Sequence, residues 1–473
     1  MQRFEYFSEE DVHAIHEATL RVLETVGVDF GYDPAVEVLK KGGCKVDGQR
    51  VFFPPKLVMA QVAKAPSTYT LQARNPDRNV TIGGDHIAYI PCYGPPFVHD
   101  LDRGRRASTL EDYTNFVKMA YASRSMDITG GMMAEPNDVP TERRNAEMIY
   151  ASLRYSDKPF MGGAIGAAAA RETIEMAAIV FGCSEEALAK KMPMISILCS
   201  LTPLAYDDRM LSAIMEYAKA GMPQLLSSLS IAGATTPVTL EGTLVVQNAE
   251  ILAGIVLTQL IREGTPVVFS GSSSAAAMRY GTLSVGAPEM AINTAATAQM
   301  ARFYGIPSRG GGAITDAKLP DAQAGLESMM NQLMATLSGI HFVLHSGGIL
   351  EGYMATSYEK FIIDDEICGM CKRIKRGETP DPEKLALDVI AQVGPGGEYL
   401  TNLHTFQNFR KELYAPILEQ KASYDGWKAS GGESIEDAAN RKWKEILAAY
   451  EEPSMPDDAL RELEKYIQQK YEK

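Results

Sequence analysis

Arg309 stands directly before three glycines, Gly310-Gly311-Gly312. A guanidinium at the end of an extended segment could fork onto the carboxylate of an anionic or zwitterionic ligand. The alternative is an internal ion pair with Asp316 or another acid. His345 opens the run Ser346-Gly347-Gly348. It could bond the same carboxylate, act as an acid or base, or serve as a structural donor. His341 falls on the same side of an extended chain, lower down. Tyr93, Phe97, Tyr353 and Tyr358 could enclose a quaternary ammonium through cation–π contact, or simply pack. Asn145 is a further polar candidate. Cys368-Gly-Met-Cys371 is a CxxC, but acidic residues precede it and Lys372-Arg373 follow, so it reads as helix packing.

Much common catalytic chemistry is missing. There is no HExxH, no zinc-spaced His/Cys/Asp cluster, no P-loop and no GxSxG elbow. No resident metal is expected.

These residues need a frame that brings them together. Eight short apolar runs, at 88–93, 126–133, 159–165, 194–201, 224–231, 266–270, 306–311 and 341–345, alternate with helical patterns. Eight strand-then-helix units predict a closed parallel (β/α)8 barrel over 86–375, whose active residues sit at strand C-terminal ends. An open doubly wound sheet is the alternative, but its GxGxxG fingerprint is absent. Residues 1–85 read as an N-terminal α+β cap. Its first helix is capped by Ser8 with Asp11, carries Val12, Ile15, Thr19, Val22 and Val26 at helical spacing, and ends at Gly27. Residues 376–473 read as a helical extension holding Trp427 and Trp443. Its last helix has Leu460, Leu463, Ile467 and Tyr471 on one face, to pack on the barrel or on another subunit. A homo-oligomer is expected.

The 473 residues carry a net charge of −14, which argues against a nucleic-acid surface or attraction to anionic lipid. The densest basic cluster, Arg103, Arg105 and Arg106, reads as a solvated loop. No apolar stretch reaches the ~18 residues of a membrane span, and no secretory leader is visible. Six scattered cysteines suit reduced thiols in a cytoplasm.

Longer motifs then carry a resemblance. Arg309-Gly-Gly-Gly, Thr315-Asp-Ala-Lys318, Asp321-Ala-Gln-Ala-Gly325 with Glu327, Ser346-Gly-Gly-Ile-Leu-Glu351, Glu359-Lys-Phe-Ile-Ile-Asp-Asp-Glu-Ile-Cys-Gly-Met370 and Thr202-Pro-Leu-Ala-Tyr-Asp207 resemble the trimethylamine methyltransferase superfamily. The likeness runs nearly the whole length. It implies a (β/α)8 barrel that moves a methyl group from a methylated amine to the Co(I) of a corrinoid. The corrinoid would be brought by a partner protein as co-substrate, with no cofactor bound tightly here, and the resemblance implies residues that position the substrate and exclude water, with no acid/base catalyst. Trimethylamine-specific members carry pyrrolysine, and this chain has only standard residues. It resembles the branch acting on quaternary amines such as glycine betaine, proline betaine and carnitine. Arg309 and His345 would then hold a carboxylate, and glycine or proline betaine is the preferred substrate. Tyr93, Phe97, Asn145 and Tyr353 complete the expected substrate site by strand-end position. A barrel lyase or aldolase using a lysine such as Lys318, and a non-catalytic betaine-binding barrel, remain open.

Overall fold

A computed structural model describes residues 3–418 and 420–471. At its centre is a seven-stranded all-parallel sheet: β1 (Ala88–Tyr89), β2 (Phe160–Met161), β3 (Met194–Cys199), β4 (Gln224–Ser228), β5 (Val267–Gly271), β6 (Ser308–Arg309) and β7 (Phe342–Val343). The spatial order is β1-β7-β6-β5-β4-β3-β2. Register places Ser270 opposite Arg309, Arg309 opposite Phe342, and Val343 opposite Tyr89. Both faces are covered, so β3, β4 and β5 read as nearly continuous buried runs instead of alternating ones.

Seven of the eight expected runs form strands of this sheet. The run at 126–133 is irregular. Gly130 at φ +91° breaks an extended backbone there. The segment still bonds to both outer strands. Asp127 N–H donates to Tyr89 O at 2.8 Å, Thr129 N–H to Pro159 O at 2.9 Å, and Met161 N–H to Gly130 O at 3.0 Å.

Helix Leu240–Ile261 corrects another expectation. By length and composition it could span a bilayer, with a mean hydropathy of 1.7. Its residues are instead largely buried, next to β4 and the N-terminal helices, as a helix apolar on all sides requires. The arginine cluster is likewise no solvated loop. It lies on the hairpin of Phe97–Asp100 and Gly104–Ala107. Arg103 and Arg106 pair with buried Asp100 and Asp112, and Arg105 with Glu351.

The opening helix, Glu9–Thr25, has the expected capping box between Ser8 and Asp11. Its buried face is Val12, Ile15, His16, Thr19, Leu20 and Leu23, so Val26 is exposed and the stripe is rotated from the one read in sequence. Strand Val28–Phe30 pairs with Ala205–Tyr206 from the loop after β3, tying the N-terminal segment to the central sheet. The last helix, Asp457–Tyr471, buries Leu463 and Ile467 against helix Gly166–Phe181 of its own chain. Tyr471 Oη donates to Glu172 at 2.6 Å and Tyr466 Oη to Glu175 at 2.6 Å.

Candidate active site

Strand ends bring three sequence candidates to one buried centre. Arg309 ends β6, His345 follows β7 by two residues, and Tyr353 comes from the next loop. The His345 and Tyr353 rings lie 4.7 Å apart. Tyr93, after β1, joins through its backbone, whose N–H donates to His345 Nδ1 at 3.2 Å.

Arg309 is 2% exposed, and its Nε and Nη1 have no hydrogen-bond partner among the described residues. Burial lowers its pKa, with Tyr353 and Cys199 acting the other way. A guanidinium stays charged despite this. The internal ion pair with Asp316 does not form. That carboxylate accepts from Ser284 Oγ at 2.8 Å, Val285 N–H at 3.1 Å and Gly286 N–H at 3.0 Å. The site therefore holds a buried cation without a counter-charge, at a cost of several kcal/mol, which an anionic ligand would offset.

His345 complements it. Because Nδ1 accepts from Tyr93, the neutral ring carries its proton on Nε2 and is a donor there. Burial, and then the charge of Arg309, push its pKa well below 6.5. The centre thus presents a cation and a neutral N–H donor, which suits a carboxylate and does not suit proton abstraction. His345 and Tyr353 have φ of +64° and +76°. Such backbone costs ~1–3 kcal/mol per residue and persists only where the surroundings enforce it.

The surroundings are the long motifs of the sequence. Gly312 lies so close to the His345 strand end that an added Cβ would sit 2.3 Å from Leu344 O. Ala313 N–H donates to His345 O at 2.9 Å. Behind it, Lys360 Nζ donates to Ala313 O at 3.1 Å, to Ser328 Oγ at 2.8 Å and to the carboxylate of Asp364. Asp364 also accepts from Gly348 N–H at 2.8 Å. Burial raises the Asp364 carboxyl to about 6 and lowers the Lys360 ammonium, each opposed by its partner. Glu327 fixes the other loop, accepting from Thr315 Oγ1 at 2.5 Å and Asp316 N–H at 2.8 Å. These motifs shape the loops that carry Arg309 and His345.

The other candidates are engaged elsewhere. The Phe97 ring carries the Arg105 guanidinium at 3.8 Å and packs beside Ala317 and Leu350. Tyr358 is a core residue, stacked on Phe116 at 4.6 Å and against Trp443 at 4.6 Å. A four-aromatic cage is therefore not assembled: the hairpin supplies Phe97 with its own cation. Asn145 donates to Glu172 at 2.6 Å and lines a neighbouring cavity of about 290 Å³ with Met132, Met148, Met161 and the Tyr93 ring. His341 is a strut, its Nδ1 accepting from Ser308 N–H at 3.0 Å and its Nε2 facing Gly84 O at 3.1 Å. Cys368 and Cys371 are free and buried.

Three residues escaped the sequence reading. Cys199, at the end of β3, lies near Arg309, which partly opposes the rise that burial gives its thiol. Ser270, opposite Arg309 in register, has a buried hydroxyl with no partner among the described residues. Glu250 holds the loop after β3 through Ser200 Oγ, Thr202 Oγ1 and Leu204 N–H, at 2.5, 2.9 and 2.7 Å. A lone acid inside an apolar helical run was the available signal for Glu250.

The family model described as trimethylamine methyltransferase matches residues 1–473. The glycine betaine methyltransferase of Desulfitobacterium hafniense is 47% identical over 470 residues, covering 99% of this chain and 98% of that one. The proline betaine:corrinoid methyltransferase of Eubacterium limosum is 32% identical, covering 98% and 97%. The monomethylamine methyltransferase structure of Methanosarcina barkeri aligns over 94% of this chain and 89% of its own, with a TM-score of 0.53 at 12% identity, a likeness of fold alone. Matched end to end by the family model and by these relatives, the chain belongs to the trimethylamine methyltransferase family.

Proposed function

We propose that this methyltransferase takes a methyl group from a carboxylate-bearing quaternary amine, glycine betaine foremost, and passes it to a corrinoid on a partner protein. The observation that carries this reading is the buried, unpaired Arg309 beside the Nε2–H donor of His345. The identity to the glycine betaine enzyme supports that substrate first. Proline betaine and carnitine, named for relatives at 32% identity, come next.

Arg309 and His345 bind the carboxylate and orient the amine. The ring of Tyr353, beside His345, offers a π face to the cation at short range. Tyr93 positions His345 through its backbone and lines the adjoining cavity with its ring. In the transfer the N–CH₃ bond breaks and its electron pair stays on nitrogen as a neutral tertiary amine. The leaving group needs no proton, so a donor-only site with no general acid suffices. The corrinoid supplies the nucleophile that accepts the methyl group. The protein contributes orientation and exclusion of water.

The mouth suits a large visiting co-substrate. Small residues fill the strand ends at Ser227, Ser228, Gly271 and Ser272. Exposed apolar residues on the loops beyond them, Leu201, Val238, Met278, Tyr280 and Leu319, form a rim for the carrier protein. We read the segment at 126–130 as the eighth stave of a closed barrel over 86–375, since it bonds to both β1 and β2. Residues 1–85 would be its cap and 376–473 its extension. Six free cysteines support a cytoplasmic setting. The lyase reading is weaker, since Lys318 is exposed and donates to Asp316 O.

The test offers glycine betaine, proline betaine, carnitine, choline and trimethylamine separately, with chemically reduced cob(I)alamin, and follows methylcobalamin by absorbance. Product from a carboxylated amine, and none from choline or trimethylamine, is expected. Equal rates on choline would remove the role given to Arg309.

A further inference from the structure

Given the carboxylated-amine reading above, on which this rests, we infer that the Tyr353 hydroxyl is a third donor to the substrate carboxylate, beside Arg309 and His345. The hydroxyl is a separate group at the far edge of a ring whose face serves the cation. Its Oη is buried and has no hydrogen-bond partner among the described residues. A buried hydroxyl left unbonded is costly, and such groups ordinarily find a partner in the protein or in what it binds. Asp316, the acid whose charge reaches Tyr353, is turned to Ser284, Val285 and Gly286 instead.

Arg309 is the neighbour that decides what the partner must be. Each of the two side chains feels the other's charge. The Nε and Nη1 of Arg309 are orphaned in the same way as the phenol. A guanidinium offers no acceptor for the phenol's proton. Burial pushes that phenol up to about 12, with Arg309 opposing, so it keeps its proton and stays a donor at neutral pH. An ionised carboxylate is acceptor-only, with about four lone-pair sites. It can take Arg309, the Nε2–H of His345 and the Tyr353 O–H at once. A hydroxyl in its place has two lone pairs and no charge, and would leave buried donors unpaired.

The backbone holds Tyr353 in place at a cost. Glu351, Gly352 and Tyr353 have φ of +56°, +59° and +76°, three left-handed residues in a row. Such backbone is rare for a bulky side chain and persists only where the surroundings enforce it. Here they do. Glu351 N–H donates to Ala317 O at 2.9 Å and Gly352 N–H to Thr315 O at 3.0 Å. Arg105 Nε donates to the Glu351 carboxylate at 2.9 Å while its guanidinium lies on the Phe97 ring. So the hairpin that takes Phe97 away from the site also pins the turn that brings Tyr353 into it. Arg105 and Glu351 are positioning residues in this arrangement. Strain spent on a turn that ends in an unbonded hydroxyl beside an unpaired cation points to a ligand that bonds both.

Tyr353→Phe removes the hydroxyl and keeps an aromatic face for the cation. Calorimetry on the full chain should show the Kd of glycine betaine rising at least about tenfold in that variant, the loss expected for a hydrogen bond to a charged group. The Tm without ligand should hold or rise, because the hydroxyl has no protein bond to lose. Infrared spectra of bound glycine betaine, labelled with carbon-13 in its carboxylate, give a second readout. The antisymmetric carboxylate band should differ between the parent and Tyr353→Phe. A Kd within about twofold of the parent, an unshifted band, or a Tm that falls along with affinity would each overturn the role of the hydroxyl alone. A parent that binds no carboxylated amine would overturn the functional reading, and the role of the hydroxyl with it.

Discussion

The two sides of the strand-end mouth are built on opposite terms. Beside β6 and β7, polar groups are buried and fixed by motifs from three loops and a helix, leaving one cation unanswered. Beside β1 and β2, Met132, Met148, Met161 and Tyr93 line a cavity whose polar wall, Asn145 and Glu172, is already satisfied by partners that include Tyr471. One side stores an electrostatic demand and the other offers adaptable shape. Charge recognition needs fixed geometry, because a misplaced donor in a dry site is worth little, while thioether side chains tolerate rearrangement.

Removing the charge should have the largest effect. Arg309→Met is expected to cost ~2–5 kcal/mol in kcat/KM for glycine betaine, roughly 30- to several-thousand-fold. It should raise the Tm of the ligand-free protein, because an unpaired buried cation goes with it. A fall in Tm together with activity would mean that Arg309 is structural. Next come the supports. Asp364→Asn or Lys360→Met should each destabilise by ~3–5 kcal/mol in urea unfolding, and K360M/D364L by less than either. In a residual folded fraction KM should rise more than kcat falls, because His345 and Ala313 lose their setting.

Acid should separate the histidines from the cavity. The pKa of His341 is lowered to about 4 and that of His345 well below 6.5, both mainly by burial. Below 6.5 the unfolded chain takes up protons that these native rings refuse. The contribution of these two rings to stability is therefore complete above 6.5 and is lost as pH drops through the window towards about 4, partly offset by Asp364, whose raised carboxyl acts the other way. His341→Gln should flatten part of that limb in denaturation curves taken across pH. Over the same window above His345's own titration, kcat/KM for betaine should show no histidine inflection. The smallest effects belong to the apolar side. Met148→Leu should change kcat/KM by less than about threefold, and Tyr471→Phe should cost about 1 kcal/mol of stability with KM unchanged. A betaine KM that follows Met148 more than Arg309 would reverse the comparison.

The site was legible to the extent that it follows strand periodicity. Short apolar runs mark where β6 and β7 stop, and Arg309 and His345 stand at those stops. Phe97 was misplaced because a hairpin set Arg105 over its ring, a cross-strand event that local spacing does not encode. The segment at 126–133 was read as a strand because its apolar content is right, while Gly130 and the Asp127 side chain bend it out of regular pairing. The long motifs drew notice as a family likeness, and their work on the loops around His345 appeared only with the hydrogen bonds of Lys360, Asp364 and Glu327.

By itself, then, the sequence determined most element types, with the run at 126–133 the exception, the strand-end placement of a cation and a histidine, and the reaction family, because these depend on local periodicity and on ordered motifs. Tertiary structure decided that Arg309 has no counter-ion among the described residues, that His345 is a neutral Nε2–H donor, and that the stretch at 378–413 buries no residue. Each of those depends on which distant groups arrive within bonding distance, and burial makes every such arrival, or its failure, count energetically.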